Sequence, residues 1–237
     1  MSILITAFNT ILYQPLLNVL VLLYEYLPGH DFGVAVIVLT ILIKLLFYPL
    51  GIKAIKSQKA LSELQPKVKE IQEKYKDNKE QQTREIMALY KKEKINPFSG
   101  CLPILIQLPV LLALYRVFWS GLQPEQMTLL YSFVPLPGII NPTFFGIVDL
   151  AKPNLIIAFL AGIFQFIQIK KATPKSKKNK KQDSGFSGQM QKQMQYFMPA
   201  FMVLILFRLP SAVGLYWLTT TLFTIVQQYV ILRKKND

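Results

Sequence analysis

Apolar residues in this chain gather into long blocks separated by charged or proline-rich stretches. The block 32–50 carries a single charge, Lys44. The block 99–119 is interrupted by Pro103, Gln107 and Pro109, and the block 153–169 carries Gln165 and Gln168. The last apolar stretch, Tyr196 to Leu232, has 37 residues. As a helix it would run about 55 Å, too long for one crossing of a hydrocarbon core of about 30 Å. Arg208-Leu209-Pro210-Ser211 is the natural turn, which gives spans at 192–207 and 211–232. A bilayer satisfies no backbone group, so each spanning block must be helical. A barrel would need alternating ten-residue segments, and the chain has none. The pattern therefore predicts an all-α membrane protein with five transmembrane helices. Two spans are short: the apolar parts of the third and fourth measure about 26 Å and about 18 Å, which thins the bilayer locally or draws in polar flanking turns.

Residues 9–27 are apolar but broken by Gln14, Asn18 and Glu25 on one helical face. Pro15 sits in the first turn, and Pro28-Gly29 ends the helix. The segment 1–31 thus reads as an external N-terminal piece with an amphipathic helix lying in the interface, Tyr24 and Tyr26 near headgroup level. A true crossing is the competing reading.

Residues 51–98 change character. Leu61, Leu64, Val68, Ile71 and Tyr75 recur at spacings of three and four, as do Thr83, Ile86 and Tyr90. Lys76-Asp77-Asn78 is a turn signal between them, so the segment predicts an antiparallel helical hairpin. Pro66 marks a start or kink of its first helix, and Asn96-Pro97 ends its second. A solvated linker would have no need of those apolar stripes.

Charge then orients the whole. The net charge is +14. Of 27 Lys and Arg, twelve fall between Lys53 and Lys94, eight between Lys170 and Lys192, and three in Arg233-Lys234-Lys235. The positive-inside rule places 51–98, the basic loop 170–191 and the tail 233–237 in the cytoplasm. The loop 120–152 and the N-terminus are then outside, where Phe133, Leu136, Phe144 and Phe145 reach the bilayer surface. The stretch after Lys170 reads as a flexible loop near anionic lipid. No charged leader with a cleavage site precedes the first apolar segment, so no removable signal peptide is expected.

Candidate chemistry is sparse. The chain has no Walker loop, nucleotide-binding glycine fingerprint or Cys-X-X-Cys, and His30 is its only histidine. Cys101 is its only cysteine and reads as packing. A Ser/Lys dyad using Lys44 has no serine between Ser2 and Ser57 to work with. No catalytic residue, metal or cofactor is expected.

The informative set is polar and intramembrane: Thr40, Lys44, Gln107, Gln165, Gln168, Thr219, Thr220, Thr221 and Gln227, with Tyr216 and Trp217. Taken singly, Thr back-bonds to its own helix and Gln glues helices together. Lys44 is harder to explain away. A cation in hydrocarbon costs about 2.5–3.5 kcal/mol even on the lenient scale, and none of the five spans holds an acid to pair with it. Its stem snorkels to the headgroups, or it faces a wet groove. The groove reading makes Lys44, Thr40, Gln107, Gln165, Gln168, Tyr216, Trp217 and Thr220 its lining. A small-solute or ion transporter using Lys44 is the alternative, but the paired ionisable residues and internal repeat expected of one are missing.

Several motifs in order carry a resemblance. The densest block is Ala88 to Tyr115, ALYKKEKINPFSGCLPILIQLPVLLALY. It is supported by Lys44-Leu-Leu-Phe-Tyr-Pro-Leu50, Leu64-Gln65-Pro66, Phe197-Met198-Pro199, Leu209-Pro210-Ser211, Leu215-Tyr216-Trp217 and Ile225-Val226-Gln227-Gln228. With these the chain resembles the YidC/Oxa-type membrane protein insertases over about Asn9 to Leu232. The resemblance implies a five-helix core with a hydrophilic groove open to cytoplasm and lipid, plus a mobile cytoplasmic hairpin. It implies nascent membrane proteins as substrates, delivered alone or with the Sec translocon. The basic segments add anionic lipids and the ribosome as expected partners, and with no transit peptide in view the expected location is a bacterial plasma (inner) membrane. No specific nucleic acid is expected. Lys44 takes the place of a groove arginine of many bacterial members, Trp217 that of a groove-facing aromatic, and Gln165 or Gln168 that of a groove glutamine. The chain reads as a short form, without the large periplasmic domain of many relatives, and its short basic tail is a poor ribosome dock.

Overall fold

The computed structural model describes residues 2–96, 102–120, 123–172 and 193–233. Cys101, most of the basic loop 170–191, the hairpin residues 97–98 and the end of the tail lie outside the described residues.

The N-terminal segment is helical from its second residue, not from residue 9. It comprises α1 (Ser2–Phe8), a π-helical stretch Asn9–Tyr13, and α2 (Gln14–Tyr26). Gly29 (φ +83°) and His30 (φ +47°) turn the chain. Asp31 then caps α3 (Phe32–Leu46), its carboxylate accepting from Val34 N at 2.8 Å. The polar face of α2 meets protein. Gln14 Nε2 donates to Leu129 O at 3.0 Å, and Asn18 Oδ1 accepts from Tyr131 N at 2.7 Å. Asn9 Oδ1 accepts from Arg116, Tyr13 OH donates to Gln126, and Tyr24 OH accepts from Asn141 N. From Asn9 to Tyr24 this segment therefore touches one stretch, 116–141, at one end of the bundle, while Ile3, Leu4 and Ile5 of α1 are exposed.

The first predicted span stops early. Expected to reach Leu50, it ends at Leu46, and α4 (Tyr48–Lys74) starts almost at once with a 71° bend. The cause is Pro49, which lacks an N–H and suits the first turn of a new helix. Pro66 is carried inside α4 instead of starting a helix. The turn at Tyr75–Asn78 leads to α5 (Lys79–Lys92), with the Asn78 side chain accepting from Gln81 N. α5 closes before the expected Asn96-Pro97. Lys94 adopts φ +53°, and Ile95 N returns to Tyr90 O at 2.9 Å, a left-handed helix stop. Leu64, Val68 and Gln82 are buried between the two helices.

α6 (Leu102–Ser120) leads to a 3₁₀ turn, Pro124–Leu129. Next comes a two-residue antiparallel pair, β1 (Thr143–Phe144) with β2 (Val148–Asp149), in register Thr143↔Asp149. Phe133, Leu136 and Phe145 are exposed, as surface contact requires. Phe144 is instead half-buried and packs where Gly33 has no Cβ. α7 (Leu155–Ala172), a π-helical stretch Gln193–Phe197, α8 (Met198–Leu206) and α9 (Ser211–Arg233) complete the fold.

Among the described residues, Ile3–Tyr26, Leu155–Ala172 and Ser211–Arg233 are long and apolar enough to cross a membrane. The bent pair α3–α4 is a fourth if it counts as one span. Ile106–Ser120 and Gln195–Leu206 are apolar but shorter. The N-terminal segment, expected in the interface, has the length to cross, while its contacts from Asn9 to Tyr24 hold it to one end of the bundle.

Helix α9 is central, packing on α7 and α3 most extensively and touching α4, α6 and α8. The tight core is lopsided. Buried residues of α3 stop at Thr40, those of α7 at Gly162, and those described on α6 start at Val110. The helices are close-packed at the end capped by α2 and part towards the other.

Candidate functional site

Where the helices part they enclose a cavity of about 280 Å³. Lys44 enters from α3, Gln107 from α6, Gln165 and Gln168 from α7, and Trp217, Thr220, Thr221, Thr224 and Gln227 from α9. α4 supplies a further wall, with Gly51, Ala54, Ile55 and Gln58.

The Lys44 ammonium donates to Thr224 Oγ1 at 3.1 Å, and the Phe223 ring centroid is 5.8 Å away. Thr224 gives its own proton to Thr220 O at 2.8 Å, so its oxygen is left to accept. Among the described residues no carboxylate pairs with Lys44; the ion pairs are Lys59–Glu63, Lys67–Glu93 and Lys152–Asp149. One neutral hydroxyl does not replace the hydration of an ammonium. A water-accessible cavity lowers that cost, and an incoming anion lowers it further.

Other polar groups serve as ties between the cavity's walls. Trp217 Nε1 donates to Gln165 Oε1 at 3.1 Å, joining α9 to α7. Gln107 donates to the Tyr216 hydroxyl, joining α6 to α9. Gln227 Nε2 donates to Tyr48 O at 3.3 Å, joining α9 to the first turn of α4. Gly51 makes that approach possible, since a Cβ there would stand 2.7 Å from Gln227 Nε2.

Six of the eight residues expected at a groove thus share one cavity: Lys44, Gln107, Gln165, Gln168, Trp217 and Thr220. Two do not line it. Thr40 is buried in the close-packed half, its hydroxyl donating to Val36 O at 2.6 Å. Tyr216 is buried behind the wall, and its hydroxyl accepts from Gln107, which lines the cavity. Sequence reasoning overlooked Thr224 and the α4 wall. Thr224 had a signal, since it extends the stripe Trp217, Thr220, Thr221 by one turn towards Gln227. The α4 wall had little, because Lys53, Lys56 and Lys59 made its segment read as part of a cytoplasmic hairpin.

The fold and cavity define a polytopic helical membrane protein with a polar chamber at the parted end of its bundle. Residues 22–237 match the family model described as 60Kd inner membrane protein. The membrane protein insertase YidC of Fusobacterium nucleatum is 36% identical over 204 residues, which cover 86% of this chain and 87% of that protein. Those of Syntrophus aciditrophicus and Lawsonia intracellularis are 37% and 34% identical over 93% and 95% of this chain. There the chain spans only 36% and 39% of the relative's length. The chain belongs to the YidC/Oxa insertase family. It is a multi-pass membrane protein, and the family's description places its members in the inner membrane.

Proposed function

We propose that this protein inserts nascent membrane proteins into the bacterial plasma membrane, helping them fold, through a positively charged groove and without nucleotide hydrolysis of its own. In this reading the cavity at the parted end of the bundle is the groove, open to cytoplasm and lipid. The observation that carries it is Lys44, a cation without a carboxylate partner among the described residues, on the wall of a cavity built from α3, α4, α6, α7 and α9.

The physical task is to move a polar peptide end across hydrocarbon, at several kcal/mol per unsatisfied group. A hydrated chamber reaching partway across shortens the dry path. The short apolar parts of the third and fourth spans, about 26 Å and about 18 Å, shorten it again by thinning the bilayer. Lys44 attracts acidic residues of the incoming segment, with Trp217, Gln107, Gln165 and Gln168 among the polar walls. Release follows as the substrate's apolar helix partitions into lipid, which supplies the free energy.

The membrane arrangement that fits has five spans, α3, α6, α7, α8 and α9, with the N-terminus outside and the C-terminus cytoplasmic. The N-terminal helix lies in the outer interface, supported by its contacts along residues 116–141. The basic segments face the cytoplasm, where the α4–α5 hairpin recruits substrate near anionic lipid, the ribosome and the Sec translocon.

The test is a depletion strain carrying a reporter with few spans and a short, acidic translocated tail. Lys44→Ala impairs its insertion and Lys44→Arg retains it. Normal insertion of every such reporter by Lys44→Ala would show the groove-charge reading to be wrong.

A further inference from the structure

A second cavity, about 340 Å³ and open to the side, lies apart from the Lys44 chamber. α9 forms most of it, with α7 and Ile41 of α3 as borders. Phe223 lines it on one side and faces the Lys44 ammonium at 5.8 Å, so this ring partitions the two spaces. The walls are apolar, chiefly Phe164, Ile167, Leu222 and Val226. Thr219, the one hydroxyl there, donates to Leu215 O at 2.8 Å and is occupied on its own helix.

The single charge on the lining is Lys171, in the last turn of α7. α7 and α9 start side by side, with Ser211 N donating to Lys152 O and Ala212 N to Leu150 O. They run the same way, so Lys171 and Val226 mark one end of the slot, and Phe164 and Thr219 the other. Seven residues of helix separate those levels on each wall, about 10 Å. The slot is open along its side over that length, a furrow between α7 and α9. Lys170 beside it is turned onto the Phe166 ring at 6.0 Å. α3, α7 and α9 contain no Asp or Glu, and no described ion pair engages Lys171.

We infer that this slot binds one acyl chain of an anionic phospholipid, with the lipid phosphate held by Lys171 at its mouth. A phospholipid presents its groups in the order the slot requires, tail towards the bilayer centre and anion at headgroup depth. The density of lysine that follows Lys170 in the sequence favours an anionic headgroup over a zwitterionic one. The site needs only a bilayer around the bundle and stands independently of the insertion reading.

The experiment is native mass spectrometry of the full chain in detergent, incubated with phosphatidylglycerol or phosphatidylcholine. The parent protein retains one phosphatidylglycerol in preference to phosphatidylcholine. Lys171→Gln lowers phosphatidylglycerol retention at least fivefold and abolishes the preference, Lys171→Arg restores it, and Lys170→Gln changes neither. Val226→Trp, which fills the slot from an exposed position, lowers retention of both lipids. Unchanged retention in Lys171→Gln or in Val226→Trp overturns the site. So does a photo-crosslinker at Val226 that captures a protein helix and no lipid in native membranes.

Discussion

Thr224 meets Lys44 only as an acceptor: its oxygen lies 3.1 Å from the ammonium while its proton is committed to the Thr220 carbonyl. Thr224→Val is nearly the same size but offers the ammonium nothing. Hydrogen bonds inside membrane proteins contribute about 0.6 kcal/mol on average, so stability falls by that order. The ammonium remains, hydrated by the cavity. Thr224→Val is therefore expected to slow insertion of the acidic-tail reporter a few-fold, well short of Lys44→Ala, and Thr224→Ser to match the parent. A defect in Thr224→Val as deep as that of Lys44→Ala would make the hydroxyl, not the charge, the working group.

The lopsided packing makes a sharper forecast about water. Leu39 and Ala161 belong to the close-packed half, while Gln165 and Thr224 border the chamber. With Cys101 first replaced by serine, cysteines at Gln165 and Thr224 should react with a membrane-impermeant maleimide added from the cytoplasmic side. Cysteines at Leu39 and Ala161 should stay unlabelled from either side. Equal protection at all four positions would mean a dry bundle.

Gly33 and Phe144 fix the capped end. A Cβ on Gly33 would stand 2.2 Å from Phe144 Cδ2 and 2.6 Å from its Cβ, so swinging the ring away does not relieve the clash. Asp31 holds the same hairpin, accepting from Phe145 N while it caps α3. Gly33→Ala should destabilise the protein by about 1–3 kcal/mol, the usual range for overpacking. The double variant Gly33→Ala with Phe144→Gly, which removes every atom the new Cβ would meet, should melt no lower than Phe144→Gly alone. Additive losses in thermal melts would place the strain elsewhere.

What the sequence made legible was set by cost. A cation or amide in an apolar block is expensive, so Lys44, Gln107, Gln165 and Gln168 stood out, and the structure draws them round one cavity. Threonine is cheap in a helix because it bonds the preceding turn. Thr40, turned into the core, and Thr220, on the cavity, therefore looked alike in sequence. The bend at Phe47 was half legible, since a proline at position 49 disfavours an unbroken helix but does not say that a new one begins one residue before it. The wall from α4 was hidden because its charged face set the reading, while Gly51 and Ala54 matter through the space they leave.

The hairpin should respond to acid through one pair. Lys67 on α4 donates to Glu93, just past α5, at 2.6 Å, and this bond, with the lysine's charge, holds the Glu93 carboxyl below its ordinary range. A folded-state value below the unfolded one means the folded hairpin binds fewer protons. The stabilisation is thus present above the unfolded value of about 4.3 and is lost as pH falls through the lower folded value. The pair is exposed, so the effect is local and weakens with salt. The amide to watch is Ile95 N, whose bond to Tyr90 O closes the helix next to Glu93. Its exchange protection, corrected for intrinsic rates, should decline as pH drops from about 6 to below about 4. Lys67→Met should lower the protection at pH 6 and flatten the decline. An undiminished decline in Lys67→Met would assign the acid response to a different carboxylate.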